Sequence, residues 1–394
     1  MKRKFFWIFP IFLALFIWAC SSDDDTEDPT DDVGMTDDDG GTSDDDGVSD
    51  DDGSSVTFDR GTMLANWADN IILPSYTAFL NTHGDLKTEF ETFQAAPSEE
   101  NLASLRDAWI EAYKSWQHIS MFETGPAEDN GLRLNINTYP TDVELITDNI
   151  ENTTYNLDLP SNRDAKGFPA LDYLLNGVAD SDAEIVAIFT EANSGDVHLA
   201  YVSDIIDDIE TRVTTVRDAW QSGYRDRFVE NDGSSATASV DRYVNDFIFY
   251  YEKFLRAGKM GIPLGVFTGI QAPNTIESFY YPQLSNDLFQ EGLNAVQDFF
   301  SGVAFGTDDQ GESLASYLTA LNEAELRDDI LNQFESARTA VAALEPFRTE
   351  IETNNPAVDM FAAYDEVQRN VAFFKVDMVS AMSIAIDFVD ADGD

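Results

Sequence analysis

The chain is poor in the residues that most often carry chemistry or cross-links. Its 394 residues include one cysteine, Cys20, and three histidines, His83, His118 and His198. A single cysteine excludes an internal disulfide, so any fold must be held together by its core. Three scattered histidines, with His83 and His198 near expected helix ends, are weak material for a metal site. There is no His-Glu-x-x-His, no Gly-x-Ser-x-Gly, no phosphate-binding loop and no cysteine cluster. Basic residues are also scarce: 23 Lys and Arg face 74 Asp and Glu, a net charge of −51. Nucleic acid is a poor partner for such a chain, because binding it depends on cationic contacts to phosphate. Cations or cationic peptides would be attracted instead. Strand-like alternation is rare, and no repeat of fixed period is visible.

What is present begins with location. Met1-Lys2-Arg3-Lys4 is a basic start, Phe5 to Trp18 is almost unbroken apolar sequence, and Ala19-Cys20 follows. A run this short, with acids directly after it, predicts a secretory signal peptide over 1–19 and not a spanning helix. Ile17-Trp18-Ala19-Cys20 resembles a bacterial lipoprotein cleavage box, so Cys20 is the expected site of acylation, by palmitate-type chains. Residues 20–57 then hold Asp-Asp-Asp-Gly three times, at 37–40, 44–47 and 50–53, among Ser, Thr and Gly. With so little apolar surface the segment predicts a disordered acidic tether. Calcium would want alternating Asp-x-Asp-x-Asp-Gly spacing, which is absent, so a solvated spacer fits better. Ser21-Ser22-Asp23-Asp24-Asp25 resembles the acidic signal that exports lipoproteins to the outer-membrane surface. The expected place is the cell envelope, as an outer-membrane lipoprotein with its periplasmic or surface face left open.

From residue 58 onward the apolar spacing is helical. Leu102, Leu105, Trp109, Ala112, Trp116 and Ile119 form one stripe, with Ser98 as its cap. Val202, Ile206, Ile209, Val213, Val216 and Trp220 form a second, and Leu326, Ile330, Phe334, Ala337, Val341 and Leu344 a third that stops at Pro346. Met360, Tyr364, Val367, Val371, Phe374, Met378 and Met382 form the last. Stripes of this width predict an all-α body of two helical bundles packed side by side. Asn231-Asp232-Gly233-Ser234-Ser235 is the clearest break. It lies between a helix over 196–228 and a shorter one ending near Arg256, and divides a first bundle (58–232) from a second (233–394).

Four segments together resemble the imelysin family of bacterial envelope proteins: "AWIEAYKSWQHISMFETGP" (108–126), "LRLNINTYPTD" (132–142), "GFPALDYLL" (167–175) and "FLRAGKMGIPLG" (254–265). The closing "DFVDADGD" (387–394) is similar to the acidic ending of relatives. The resemblance implies two helical bundles with a polar cleft between or beside them. It also brings three activities into view: an insulin-cleaving metallopeptidase, iron-regulated envelope proteins, and a periplasmic component of ferrous iron uptake. The family's motif is Gly-x-His-x-x-Glu, whose His and Glu share one helical face and can share a cation. At the matching positions this chain has Gly167, Pro169 and Asp172. Proline has no side-chain donor, so the nitrogen ligand is lost, which argues against peptidase chemistry.

Two readings of Gly167–Asp172 stand side by side. Pro169 suits a first helical turn, and an acid there is favoured by the helix dipole, so the stretch works simply as a helix start. Alternatively, Asp172 keeps the carboxylate of a ligand site. Glu123 to Asp142 is a long polar connection holding Glu123, Asp129, Arg133, Asn135, Asn137 and Asp142. Arg133 would either orient a carboxylate or anion, or tie the loop to a helix. Lys259, between Gly258 and Gly261, is either a cation at a helix end, joined by Arg256, or a cleft residue. The expected cleft therefore has Asp172 and Glu123 as oxygen ligands or acceptors, with Arg133 and Lys259 balancing their charge. A bound metal would be a hard, oxygen-liganded ion, iron or another divalent cation, not a nitrogen-rich zinc. The function expected is an envelope lipoprotein binding a small ligand, cation or peptide, linked to iron or nutrient acquisition. The alternatives are an imelysin-type metallopeptidase and a non-catalytic partner of an envelope transporter.

Overall fold

Each apolar stripe becomes one face of a helix. Ser98 caps the Glu99–Gln117 helix by accepting from the Asn101 N–H at 3.2 Å, and Leu102, Leu105, Trp109, Ala112 and Trp116 are all fully buried. The computed structural model describes residues 58–388 apart from Asn193. The signal peptide, Cys20, the tether and the acidic tail from 389 onward lie outside the described residues. Among those described there is no strand, only an isolated bridge between Val303 and Gln310, and the protein is all-α.

The Leu73–Ala95, Glu99–Gln117 and Gly195–Ala219 helices pack as one group. Ser285–Ser301, Ala324–Ala342, Val358–Ala372 and the helical run 239–264 pack as another. Glu99–Gln117 also lies against Ser285–Ser301, so the two groups share a core within one compact unit, Ser55–Asp394. The Arg60–Asn66 helix leads into Trp67, which stacks on Phe299 at 4.4 Å. The start of the first group is therefore buttressed by the second. The 231–235 loop separates the Arg225–Glu230 helix from Ser239–Phe249, and we propose it as the division between the bundles.

Two helices run differently from the sequence expectation. The helix starting at Ser239 does not end near Arg256. It continues as a π-helix over Tyr250–Gly261 and then through Ile262–Leu264, ending at Gly265 with φ +75. The wider i→i+5 ladder absorbs the glycines at 258 and 261, and Lys259 is carried inside the protein. The helix over 196–228 is broken at Ser222 and Gly223, whose φ of 123 is open only to glycine. No described helix is long and apolar enough to cross a membrane.

Candidate functional site

Gly167 opens the short Gly167–Asp172 helix at φ +74, and a Cβ there would lie 2.0 Å from the Ile136 carbonyl oxygen. Only glycine satisfies both the dihedral and the approach. Phe168 then stacks on Tyr113 at 4.5 Å and meets Phe79 edge-on, which locks the helix against Glu99–Gln117. The next turn places Pro169 and Asp172, both buried, along a cavity of about 160 Å³. Tyr139, Thr141, Ile276, Ser278, Phe279 and Tyr280 also line it, with Pro140 and Asn274 exposed at its edge. Asp172 is the only acidic or basic residue on that lining.

Asp172 is not the exposed first-turn acid that the simplest helix-start reading needs. It is 1% exposed. Its Oδ1 accepts from the Asn176 amide at 3.2 Å and its Oδ2 from the Tyr280 N–H at 2.8 Å. Burial pushes its carboxyl up to about 7, outweighing these donors and the nearby Arg348. The same wall is pinned from below. Glu277, 2% exposed, pairs with Lys259 and accepts from Asn137 at 2.7 Å and Gln117 at 3.2 Å. Lys259 also donates to Gln117 at 2.9 Å, and burial holds its ammonium pKa below the ordinary lysine value. Between the two anchors Ser278 adopts φ +56, a left-handed conformation rare for a non-glycine residue. Two of the expected residues, Asp172 and Lys259, thus converge on one segment, 277–280.

The other two converge elsewhere. Arg133, 4% exposed, donates from Nε to the Ser120 carbonyl at 2.7 Å and from Nη2 to Met121 at 3.1 Å and Asp246 at 3.2 Å. Its guanidinium lies 4.4 Å from the Phe254 ring centre. Glu123 accepts from the Arg133 N–H at 2.9 Å, and its own N–H donates to Asp246 at 2.7 Å. Burial pushes Glu123 up to about 7 and raises Asp246 as well, against the pull of Arg133. Glu123 and Asp246 border a separate cavity of about 190 Å³ with Arg242, Phe249 and Asp387. The two clusters are linked at two places: the Ser120 hydroxyl lies 2.8 Å from the Tyr250 hydroxyl and 3.2 Å from the Gln117 carbonyl, and Asn137 donates its N–H to the Arg133 carbonyl at 3.0 Å and its amide to Glu277. The rest of the polar connection is structural. Asp142 caps the Val143–Asn152 helix, Asn135 closes the Gly131 turn, and Asp129 is exposed.

The histidines lie apart. His83 sits mid-helix in Leu73–Ala95, 1% exposed, and burial takes it down to about 4. His118 contacts Glu291 at 3.1 Å, and His198 contacts the Ser194 carbonyl at 2.8 Å. Among the described residues no three His, Cys, Asp or Glu side chains gather as a metal would require. Asp172 and Glu123, expected as oxygen ligands, belong to different networks, and Pro169 offers no donor. The donor set does not fit a resident metal ion.

Glu277 and Asp246 were missed by sequence reasoning. For Glu277 a signal existed: it is the sole acid across residues 253–286 of a chain with 74 acids. Asp246 is one acid among many on an amphipathic helix, and nothing in its spacing marks it.

Comparison with known proteins follows the same outline. Residues 72–371 match the family profile described as imelysin, Peptidase_M75, well over half of the chain. Iron-regulated protein A of Synechococcus elongatus is 30% identical over 79 residues, a match spanning 20% of this chain and only 22% of that protein. A Parabacteroides distasonis structure, provisionally described as an iron-regulated protein A precursor, aligns with TM-score 0.65 and 17% identity, over 80% of this chain and 94% of that one. An imelysin-like protein from Psychrobacter arcticum aligns with TM-score 0.64 and 18% identity, over 84% and 97%. At such identities these two structures carry the fold alone.

Proposed function

The chain belongs to the imelysin family, and on that premise we propose a cell-envelope lipoprotein, anchored by acylated Cys20, that holds a small ligand in the Asp172 cavity and serves iron or other nutrient acquisition. The observation that carries the binding reading is the cavity itself. A carboxyl with a free acceptor position borders it, on a wall pinned at Glu277 and at Tyr280. Preorganisation of this kind lowers the entropy lost when a ligand docks. The iron link draws support from the matched relative named for iron regulation. Peptide hydrolysis of the metal-dependent kind needs an activated water held by several ligands, and the donor set here is short of that.

Calorimetric titration tests the reading. The purified full chain and its Asp172→Ala variant are titrated with ferrous, ferric, calcium and zinc ions and with a panel of small metabolites. At least one solute should bind the native chain and lose affinity in the variant. A panel in which every binder treats both proteins alike would end the proposal. Chelator-sensitive proteolysis restored by added metal would revive the peptidase instead. For the iron link, the protein's level should rise when iron is withdrawn from the growing cells.

A second reading draws support from one surface feature. Ile262, Val266, Phe267 and Ile270 are exposed on the turn after the π-helix, Ile270 at 72%, and apolar patches on soluble surfaces often mark contacts. This favours a role as a non-catalytic partner of an envelope transporter. Cross-linking from position 270 in intact cells should then capture a transport component.

A further inference from the structure

We propose that the Asp172 cavity is a seat for a primary ammonium group. This rests on the reading of the cavity as a ligand site and narrows it to one chemical class. The argument is an inventory of hydrogen-bond capacity. A carboxylate has about four acceptor positions. Asn176 and the Tyr280 N–H occupy two, which leaves acceptor capacity for a guest. The two aliphatic hydroxyls on the lining, which the Tyr139 and Tyr280 phenols also border, have already spent their protons. Thr141 donates to the Asp164 carbonyl at 2.7 Å, and Ser278 donates to the Tyr281 carbonyl at 2.9 Å. Both keep only acceptor lone pairs for a guest. An ammonium carries three donors and no acceptor, so it complements the acceptors that Asp172, Thr141 and Ser278 offer.

Charge and shape point the same way. No Lys, Arg or His lines the cavity, which disfavours an anion. The nearby cations are already matched: Lys259 by Glu277, and Arg348 by Glu352 at 2.8 Å. The rings of Tyr139, Phe279 and Tyr280 give a cation aromatic faces to lie against. Phe279 already carries one such contact, with the Arg348 guanidinium 4.1 Å from its ring centre. A volume of about 160 Å³ is roughly that of five waters in the liquid. It lies below the ~300–1,000 Å³ of sites for larger organic ligands. The cavity admits a head group and excludes a whole peptide, so the ammonium comes either from a small free amine or from a chain amino terminus.

The test is titration of the purified full chain at pH 8 and pH 6 with methylammonium, trialanine, acetyl-trialanine and acetamide, repeated on Asp172→Asn. Methylammonium stays protonated at both pH values, so a change in its binding reports the protein. Affinity should fall about tenfold from pH 8 to pH 6, as the ionised fraction of a carboxyl titrating near 7 falls. Asp172→Asn should abolish binding at both. Trialanine binding without acetyl-trialanine binding assigns the chain terminus as a source; methylammonium binding alone assigns free amines. The Thr141→Val variant, which keeps the side-chain shape, should weaken methylammonium severalfold and keeps the test alive if Asp172→Asn does not fold. Acetamide binding as tightly as methylammonium, or amine binding indifferent to both variants, overturns the proposal. Another solute binding through Asp172 while no amine binds overturns it but leaves the ligand-site reading intact. Absence of any Asp172-dependent binder removes both.

Discussion

The protein buries two ionic clusters within reach of Tyr250, and they are built to different ends. Around Arg133 the charges answer one another, although Glu123 and Asp246 also border a cavity. The guanidinium meets two backbone carbonyls, Asp246 and an aromatic face, and Glu123 and Asp246 take N–H groups from the same short stretch of chain. Around Asp172 the network stops short. The Lys259–Glu277 pair is consumed in holding the 277–280 wall, and the one carboxyl on the cavity keeps an acceptor position unfilled. A carboxylate answered by a buried guanidinium holds a fold together, whereas one on a cavity wall with no cation on its lining can take a guest. In the sequence each cluster offers one expected acid and one expected base, Glu123 with Arg133 and Asp172 with Lys259. Only their surroundings separate the roles.

The largest effect comes from removing one partner of a buried pair. Lys259→Met strands Glu277 without its cation and should cost about 3–5 kcal/mol of stability, with Arg133→Met similar through Asp246. Denaturant unfolding of both variants measures the loss. The comparison predicts that Lys259→Met also abolishes ligand binding at the Asp172 cavity while Arg133→Met leaves it in place. Equal damage to binding would erase the distinction.

Next is Gly167→Ala. The left-handed backbone alone costs roughly 1–3 kcal/mol for a non-glycine residue, and the Ile136 carbonyl at 2.0 Å adds a clash. Thermal unfolding should show the loss, and ligand affinity should drop with it, because Pro169 and Asp172 follow on the same turn.

Acidity gives the third handle. Asp172 and Glu123 both titrate near 7 in the folded protein, above the ordinary carboxyl range of the unfolded chain. The native state therefore holds more protons between about pH 4 and 7. The stability each group lends is full below its unfolded pKa and is lost as pH rises through 7, by up to about 1.4 kcal/mol per pH unit. His83 acts oppositely: with its folded value near 4, its contribution is lost as pH falls from about 6.5 toward 4. Asp172→Asn and Glu123→Gln should each flatten the decline, measured as unfolding free energy against pH. A curve unchanged by either variant would contradict the assigned burial effects. Added ligand should flatten it further only where Asp172 remains.

The smallest effect is at the rim of the second cavity. Arg242 pairs with Glu128 at 2.6 Å, both largely exposed, and Arg242→Ala should change stability by no more than about 1 kcal/mol. A larger loss would mean that the Arg133 cluster is less self-contained than its hydrogen bonds indicate.

Much of the frame was legible. The Ser98 cap and the Leu102-to-Trp116 stripe were readable because helix geometry is a local, periodic property. The break at 231–235 and the helix start at Gly167 followed from the same local chemistry. The end of the helix carrying Lys259 was misplaced, because a π-helix depends on what packs around its extra residue and not on local propensity. The pairing of Asp172 with Asn176 and Tyr280, and of Lys259 with Glu277, was not readable either. An acid's partner can lie many residues away, as Tyr280 does from Asp172.

By itself the sequence determined an all-α protein, its family, and the shortage of nitrogen ligands left by Pro169. Those properties depend on spacing, composition and side-chain chemistry, all written along the chain. The tertiary structure alone decided that four similar charges form two clusters, both beside cavities, one with its cation set against the cavity's carboxylates and one with its cation turned to Glu277. Burial and partner count set the protonation and free valence of a carboxyl, and both are created only when distant segments pack together.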